Sequence, residues 1–294
     1  MRSLPVHSNQ PTLSRRAFIG TQALLLMTLT GCGSTEEAPQ VDDEPASPRS
    51  VDEIVGSGFV RVGITTDDKP FGYISMRGNY AGYDHYFSLF LATRIGVGEV
   101  RCVAIDPKER YEALLANRVD VLLAGVSPDD DAGEGIAYVR PLYAQRLCVV
   151  SPEGAVVDST DKLSQGELIV CEGTYAEHYA EQTWPDATLR RYETHTDTWR
   201  ALEDGRGIGV LTDEVSALSW VSGAEDAYVC GLRGLGDEHL VCPAVIAGQD
   251  DLYDVVDGSV KAFRKNEYGD KAYTDYIQKL VDSGEGVTFE PPEF

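Results

Sequence analysis

From residue 51 onward, short apolar runs alternate with segments whose apolar positions recur every three or four residues. "FVRVGIT" (Phe59–Thr65) has the length and the β-branched content of a buried strand, and it breaks off into the polar loop "TDDKPFGY". After a turn at Arg77-Gly78-Asn79, apolar side chains at Tyr83, Tyr86, Phe87, Phe90, Leu91 and Ile95 keep helical spacing, closed by Gly96. "EVRCVAI" reads as a strand, "PKERYEALLANR" as a helix with Pro107 in its first turn, and "VDVLLAGVS" as another buried strand. Strand and helix thus alternate over residues 59–126, which predicts an α/β unit on a largely parallel sheet.

The pattern then restarts. "RLCVVS", "ELIVCEG", "ATLRRYE", "GIGVLTD" and "AYVCGL" read as strands, and "TYAEHYAEQ", "DTWRALEDG" and "EVSALSWV" as the helices between them. Beyond "LVCPAVIAG", Leu252, Val255, Val256, Val260 and Phe263 form one apolar helical stripe. Ala272, Tyr273, Tyr276, Ile277 and Leu280 form the next. No repeat of solenoid length is visible. The patterned chain is long enough for two α/β lobes with separate cores. A cleft between lobes is the default ligand site, and ligands collect at strand carboxyl ends. Four such ends stand out: Thr66–Tyr73, Ala124–Asp131, Cys171–Glu177 and Leu211–Glu214.

The first residues bear on where the lobes work. "SRRAFIGTQALLLMTLTGC" (Ser14–Cys32) places two arginines before an apolar run that ends in small residues and a cysteine. The run is too short to span a bilayer core of about 30 Å. It has the layout of an export signal, and Arg15-Arg16 with Phe18 is similar to a twin-arginine signal. "Leu29-Thr30-Gly31-Cys32" resembles a bacterial lipobox, so residues 1–31 are expected to be removed and Cys32 to be acylated. Two acyl signals anchor stably where one does not. The acidic, proline-bearing stretch to Ser50 reads as a disordered tether, residues 32–50.

Net charge is −23, and residues 1–31 carry three arginines and no acid. The remainder is therefore more acidic still, which argues against nucleic acid and anionic lipid as partners. Five cysteines follow Cys32, an odd number, of which Cys230 and Cys242 are the only close pair. Export permits a bridge, but most are expected as buried thiols. No Cys/His spacing points to zinc, and neither a metal nor a cofactor is expected.

Several residues at the strand ends carry two readings. Thr174 and Glu177 fit a capping box, a structural role; the same helix start offers free N–H groups to a carboxylate. Asp213 is either an N-cap or a carboxylate facing an ammonium group. Phe71 and Tyr73 either stack on a ligand or pack the lobe, and Asp67 and Asp68 sit in a proline-containing loop. Cys171, Glu172 and His178 lie close in sequence, but no base–nucleophile–orienter set is apparent.

From Val60 to about Gly284 the chain resembles the extracellular solute-binding proteins of family 3, the amino-acid-binding components of ABC importers. The likeness rests on "VRVGITTDDKPFGYISMRGNYAGYD", "VDVLLAG", "LIVCEGTYAE", "ALEDGRG…LTD" and "GLGDEHLVCPAVIAG", in that order and spacing. The resemblance implies a two-lobed, periplasmic-binding-protein-like (type II) α/β fold, with lobes joined by two crossing strands near Leu142–Arg146 and His239–Pro243. Residues 51–142 and 244–294 would form one lobe and 143–243 the other. It also implies ligand contacts at Asp67, Asp68 and Phe71, at Gly125 and Ser127, at Gly173, Thr174 and Tyr175, and at Thr212 and Asp213. The last would hold an α-ammonium.

One departure stands out. Family members carry a carboxylate-clamping arginine where this chain has Ala132, after "SPDDD". Either the ligand lacks an α-carboxylate or is cationic, or Arg140 or Arg146 reaches in from the hinge, or ordinary amino-acid binding is lost. A second departure is Tyr86 in place of an acidic residue. The expected function is a lipid-anchored, monomeric receptor on the outer face of the membrane. It would bind an amino acid or small polar amine and hand it to an ABC permease. The alternatives are a sensor or accessory lobe pair and a dehydratase-like enzyme on the same fold.

Overall fold

A computed structural model describes residues 47–130, 132–224, 227–284 and 286–289. The export signal, Cys32 and the tether up to residue 46 lie outside the described residues. Among the described residues, no helix is long and apolar enough to cross a membrane.

Helix α1 (Val51–Ser57) opens on a capping box, in which Ser50 Oγ accepts from the Glu53 amide and Glu53 accepts the Ser50 amide at 2.7 Å. Strand β1 (Phe59–Ile64) follows, then three short strands, β2 (Asp67–Asp68), β3 (Gly72–Ile74) and β4 (Tyr80–Ala81), in a small antiparallel sheet. The chain continues through α2 (Tyr83–Ile95), β5 (Glu99–Ala104), a 3-10 turn (Pro107–Glu109), α3 (Arg110–Leu115), β6 (Val121–Leu122) and β7 (Ile136–Tyr138). A long strand, β8 (Tyr143–Pro152), leads out of this first lobe.

The second lobe comprises β9 (Leu168–Cys171), α4 (Tyr175–Thr183), β10 (Leu189–Tyr192), α5 (His195–Glu203), β11 (Gly209–Asp213) and α6 (Glu214–Val221). Strand β12 (Tyr228–Val241) leads back to β13 (Ala244–Ile246) and α7 (Asp250–Phe263). The last helix is α8 (Glu267–Ala272), a π turn (Tyr273–Ile277) and α9 (Gln278–Ser283).

Each lobe holds a five-stranded sheet, β5-β1-β6-β13-β7 in one and β10-β9-β11-β8-β12 in the other. In each, three strands run parallel, as the alternation predicts. One strand in each sheet, β13 in the first lobe and β8 in the second, is antiparallel to both of its neighbours. The crossing pairs are His239↔Gln145, Leu240↔Ala144 and Val241↔Tyr143, within the stretches expected to join the lobes.

Helices α7 and α8 pack back onto α2 of the first lobe. Leu252, Val256, Val260, Phe263, Ala272 and Ile277 share one core with Val60, Phe87 and Leu91. The second lobe has two smaller cores, one on each face of its sheet, around Leu168 and Val170 and around Ile169 and Val210.

Order reaches back to Arg49, whose Nε donates to Asp120 Oδ1 at 2.9 Å while Gln249 Nε2 donates to its carbonyl at 2.8 Å. Burial alone would raise the Asp120 carboxyl, but hydrogen bonds from Arg49 and Arg61 outweigh it and hold that carboxyl below its usual range. All five described cysteines are free, with the Cys148 and Cys230 thiols facing each other on β8 and β12.

Candidate functional site

The first lobe presents its polar loop at the end of β1. Asp68 is 9% exposed, and its Oδ1 accepts from Ser216 Oγ of α6 at 2.6 Å. Asp67 Oδ2 accepts the Thr196 amide, in the first turn of α5, at 2.7 Å. Both acids therefore reach across to the second lobe. Phe71 does not: it is buried and stacked on Tyr143 with ring centroids 4.6 Å apart, part of the first lobe's aromatic core. Of its two sequence readings, the packing one matches its position.

Beside this loop lies a feature that the linear pattern conceals. Arg110, the first residue of α3, is only 2% exposed, which an arginine tolerates only when paired. Its guanidinium donates to Asp130 Oδ2 at 2.6 Å and to the Ala124 carbonyl at 3.2 Å. The same Asp130 oxygen accepts the Ser127 amide at 3.0 Å and the Tyr111 hydroxyl. The turn at Gly125, with φ +63°, and the buried Ser127 thus wrap a carboxylate supplied by the chain itself. The strand end Ala124–Asp131 was expected at the cleft, but Arg110 and its pairing with Asp130 were not. The only hint was an arginine in a helix whose apolar stripe is short.

On the second lobe, Thr174 caps α4: its Oγ accepts the Glu177 amide at 3.4 Å and donates to the Cys171 carbonyl at 2.7 Å. Glu177 Oε2 takes the Gly173 amide at 2.7 Å, and Arg191 backs the other Glu177 oxygen at 2.6 Å. Gly173 has φ +75°, and a Cβ there would stand 2.6 Å from Lys108 Cα of the first lobe. The lobes touch at this point, next to the Lys108–Glu172 ion pair. Only glycine meets both demands.

Asp213 stands at the N-cap position of α6 without making the cap bond. His239 Nε2 lies 2.9 Å from its Oδ1 but not in hydrogen-bonding geometry, so that oxygen has no hydrogen-bond partner among the described residues. The His239 ring stacks on Tyr175 at 4.1 Å. Thr212, 7% exposed, sits beside Asp213 on β11.

Burial pushes the Asp68 carboxyl up to about 6; Asp213 and Asp67 add to the rise, while His195 and the Ser216 bond oppose it. Behind it lies Asp84, in the first turn of α2, only 1% exposed. Its Oδ2 accepts from Tyr143 at 3.4 Å and its Oδ1 has no partner. Burial, then the charge of Asp68, drive the Asp84 carboxyl well above its ordinary value. A signal for Asp84 existed in the sequence, an acid in the first turn of an otherwise apolar helix.

Of the two hinge arginines, Arg140 pairs with Asp257 at 2.5 Å; Arg146 reaches Glu238 at 3.4 Å, while its buried Nε has no hydrogen-bond partner among the described residues. Two cavities open between the lobes. One, about 350 Å³, lies among Asp67, Lys69, Tyr73, Thr196, Trp199 and Ser216. The other, about 210 Å³, lies among Lys108, Asp130, Thr174 and Glu177.

Residues 60–279 match the model of the bacterial extracellular solute-binding proteins, family 3. The lysine/arginine/ornithine-binding periplasmic protein of Escherichia coli is 28% identical over 163 residues, 54% of this chain and 62% of that relative. A cyclohexadienyl dehydratase of Pseudomonas aeruginosa is 25% identical over 178 residues, 58% of this chain and 65% of the relative. Among solved structures, the solute receptor for L-cysteine of Neisseria gonorrhoeae superposes with a TM-score of 0.76 at 26% identity. That match covers 81% of this chain and 98% of the receptor.

Proposed function

We propose a function from this premise: the chain belongs to the bacterial extracellular solute-binding proteins, family 3. It is a lipid-anchored receptor of an ABC importer, held outside the cytoplasmic membrane through Cys32. It closes its two lobes on an amino acid or related small polar amine. Asp213 takes the solute's ammonium group, and Asp67, Asp68, Ser127, Thr174 and Tyr175 surround it. The observation that carries this reading is Asp213 Oδ1, which makes no cap bond to α6 and no hydrogen bond among the described residues, with His239 Nε2 2.9 Å away. An acceptor in a partly desolvated cleft without a donor is costly unless a ligand supplies one.

A dehydratase reading has one relative's name behind it. Against it, burial pushes the Cys171 thiol well above its ordinary range, Glu172 is tied to Lys108, and His178 is bonded to Gln182 at 2.7 Å. None of the three is free to act as base or nucleophile.

A thermal-shift screen of the purified protein against amino acids and amines tests the proposal. At about a hundred times its Kd, a true ligand adds about 2.7 kcal/mol, several degrees in Tm. Asp213→Ala should abolish the shift while leaving the free protein's Tm within a few degrees. A shift that survives this substitution removes Asp213 from the site.

A further inference from the structure

Most of the donors along the cleft that suit a carboxylate are engaged within the chain, while the buried Arg146 Nε has no hydrogen-bond partner among the described residues. The Arg110 guanidinium, the Ser127 amide and the Tyr111 hydroxyl converge on Asp130. The Gly173 amide at the start of α4 goes to Glu177, and Lys108 goes to Glu172. At the larger cavity Arg200 pairs with Asp197 at 3.3 Å, and Lys69 lies over the Tyr73 ring at 5.4 Å. Arg110 spends one Nη2–H on Asp130 and one Nη1–H on the Ala124 carbonyl, and its Nε has no partner among the described residues.

The acids show the reverse. Among the described residues Asp84 Oδ1 is buried without a partner, Asp213 Oδ1 has no hydrogen bond although His239 Nε2 lies 2.9 Å away, and Asp68 Oδ1 has one, from Ser216. These carboxyls crowd one another: Asp213 raises Asp68, and Asp68 raises Asp84. A cation relieves that crowding; a second carboxylate adds to it.

Resting on the solute-binding reading above, we infer that the solute is an aliphatic amine or guanidinium cation carrying no carboxylate. Asp130 acts as a built-in carboxylate that closes the Arg110 corner to any such group on a ligand, and Asp68 and Asp213 hold the cation, with Asp84 buried behind Asp68.

The test is calorimetric titration of the purified full-length protein with two matched pairs, cadaverine against lysine and agmatine against arginine. The members of each pair differ only by the α-carboxylate. The expected result is binding of at least one amine, at least about tenfold tighter than its amino acid. Lysine or arginine binding as tightly as its amine overturns the inference and leaves the solute-binding reading standing. If neither amine binds, the inference falls; if a panel of amino acids also gives no heat, the solute-binding reading falls with it.

Asp130→Ala provides a second measurement. Added acetate should raise the Tm of this variant by several degrees and leave the wild type unmoved, because the emptied corner accepts a free carboxylate. Lysine should gain at least about tenfold on cadaverine relative to the wild type. Equal responses to acetate in the two proteins overturn the Asp130 role. If the variant does not fold even with acetate, the wild-type pairs decide.

Discussion

Two corners of one cleft treat carboxylates in opposite ways. At Arg110, three donors converge on one oxygen of Asp130, so the buried charge is matched within the chain, although Arg110 Nε has no partner among the described residues. Around Asp68 several acids gather, and two of their oxygens, Asp84 Oδ1 and Asp213 Oδ1, have no hydrogen bond among the described residues. The first corner is built for stability and the second holds unsatisfied potential. Local satisfaction of this kind separates scaffold from site more sharply than burial does, since Arg110, Asp84 and Asp68 are all buried.

The largest effect that tests this contrast is on the matched corner. Asp130→Ala leaves a buried guanidinium without its counter-charge and should cost about 3–5 kcal/mol in denaturant unfolding. A loss below about 1 kcal/mol would mean that the corner behaves like a surface pair and that the contrast is false.

Asp68→Asn should act with the opposite sign. Folding raises this carboxyl from 3.8 to about 6, so between those values the folded chain holds more protons than the unfolded one. Stability therefore falls as pH rises through 6, and above that the full penalty of a buried charge applies. Asparagine keeps an acceptor for Ser216 and removes the charge. The variant should be more stable than the wild type by about 1–3 kcal/mol in alkaline buffer, and the gain should vanish below pH 3.8. Urea midpoints at the two extremes check it; an equal gain at both would detach the effect from ionisation.

Gly173→Ala strains a left-handed backbone position, a cost of about 1–2 kcal/mol, and drives a methyl group into Lys108. It should disfavour closure, seen as a larger radius of gyration by small-angle scattering with ligand present. An unchanged radius would remove the Gly173–Lys108 contact from the closing mechanism. Lys108→Ala, which breaks an ion pair in which the lysine side chain is 60% exposed, should change stability by no more than about 1 kcal/mol.

Much of the architecture was legible because the signals were local. The alternation of strand and helix, the Thr174 cap and the return of the C-terminal helices follow from periodicity, capping chemistry and the family resemblance. The two-residue strands β2 and β4 were read as loop, since a period of two needs more residues to show itself. Strand β12 was read as two pieces because Gly231, Gly234 and Gly236 interrupt its apolar pattern; the structure carries it through three register shifts. In the cleft, acids at strand ends were visible as residues but not as satisfied or unsatisfied groups. Arg110 and Asp130 are twenty residues apart, and nothing in either local pattern links them. Glu177 was read as the partner of a cap, and its capture of the Gly173 amide is the local bond of that helix start.

The most direct test of the central claim is proton release on binding. Cadaverine should be titrated into the protein at pH 6, in buffers of differing ionisation enthalpy. Its amines are fully charged there, so any proton exchanged belongs to the protein. Asp68 is about half protonated at that pH, and a cation beside it should expel about half a proton. The predicted result is a heat that varies with the buffer at pH 6 and ceases to vary in alkaline buffer. No binding heat, or a heat independent of the buffer at pH 6, would contradict a cation held against this wall of acids.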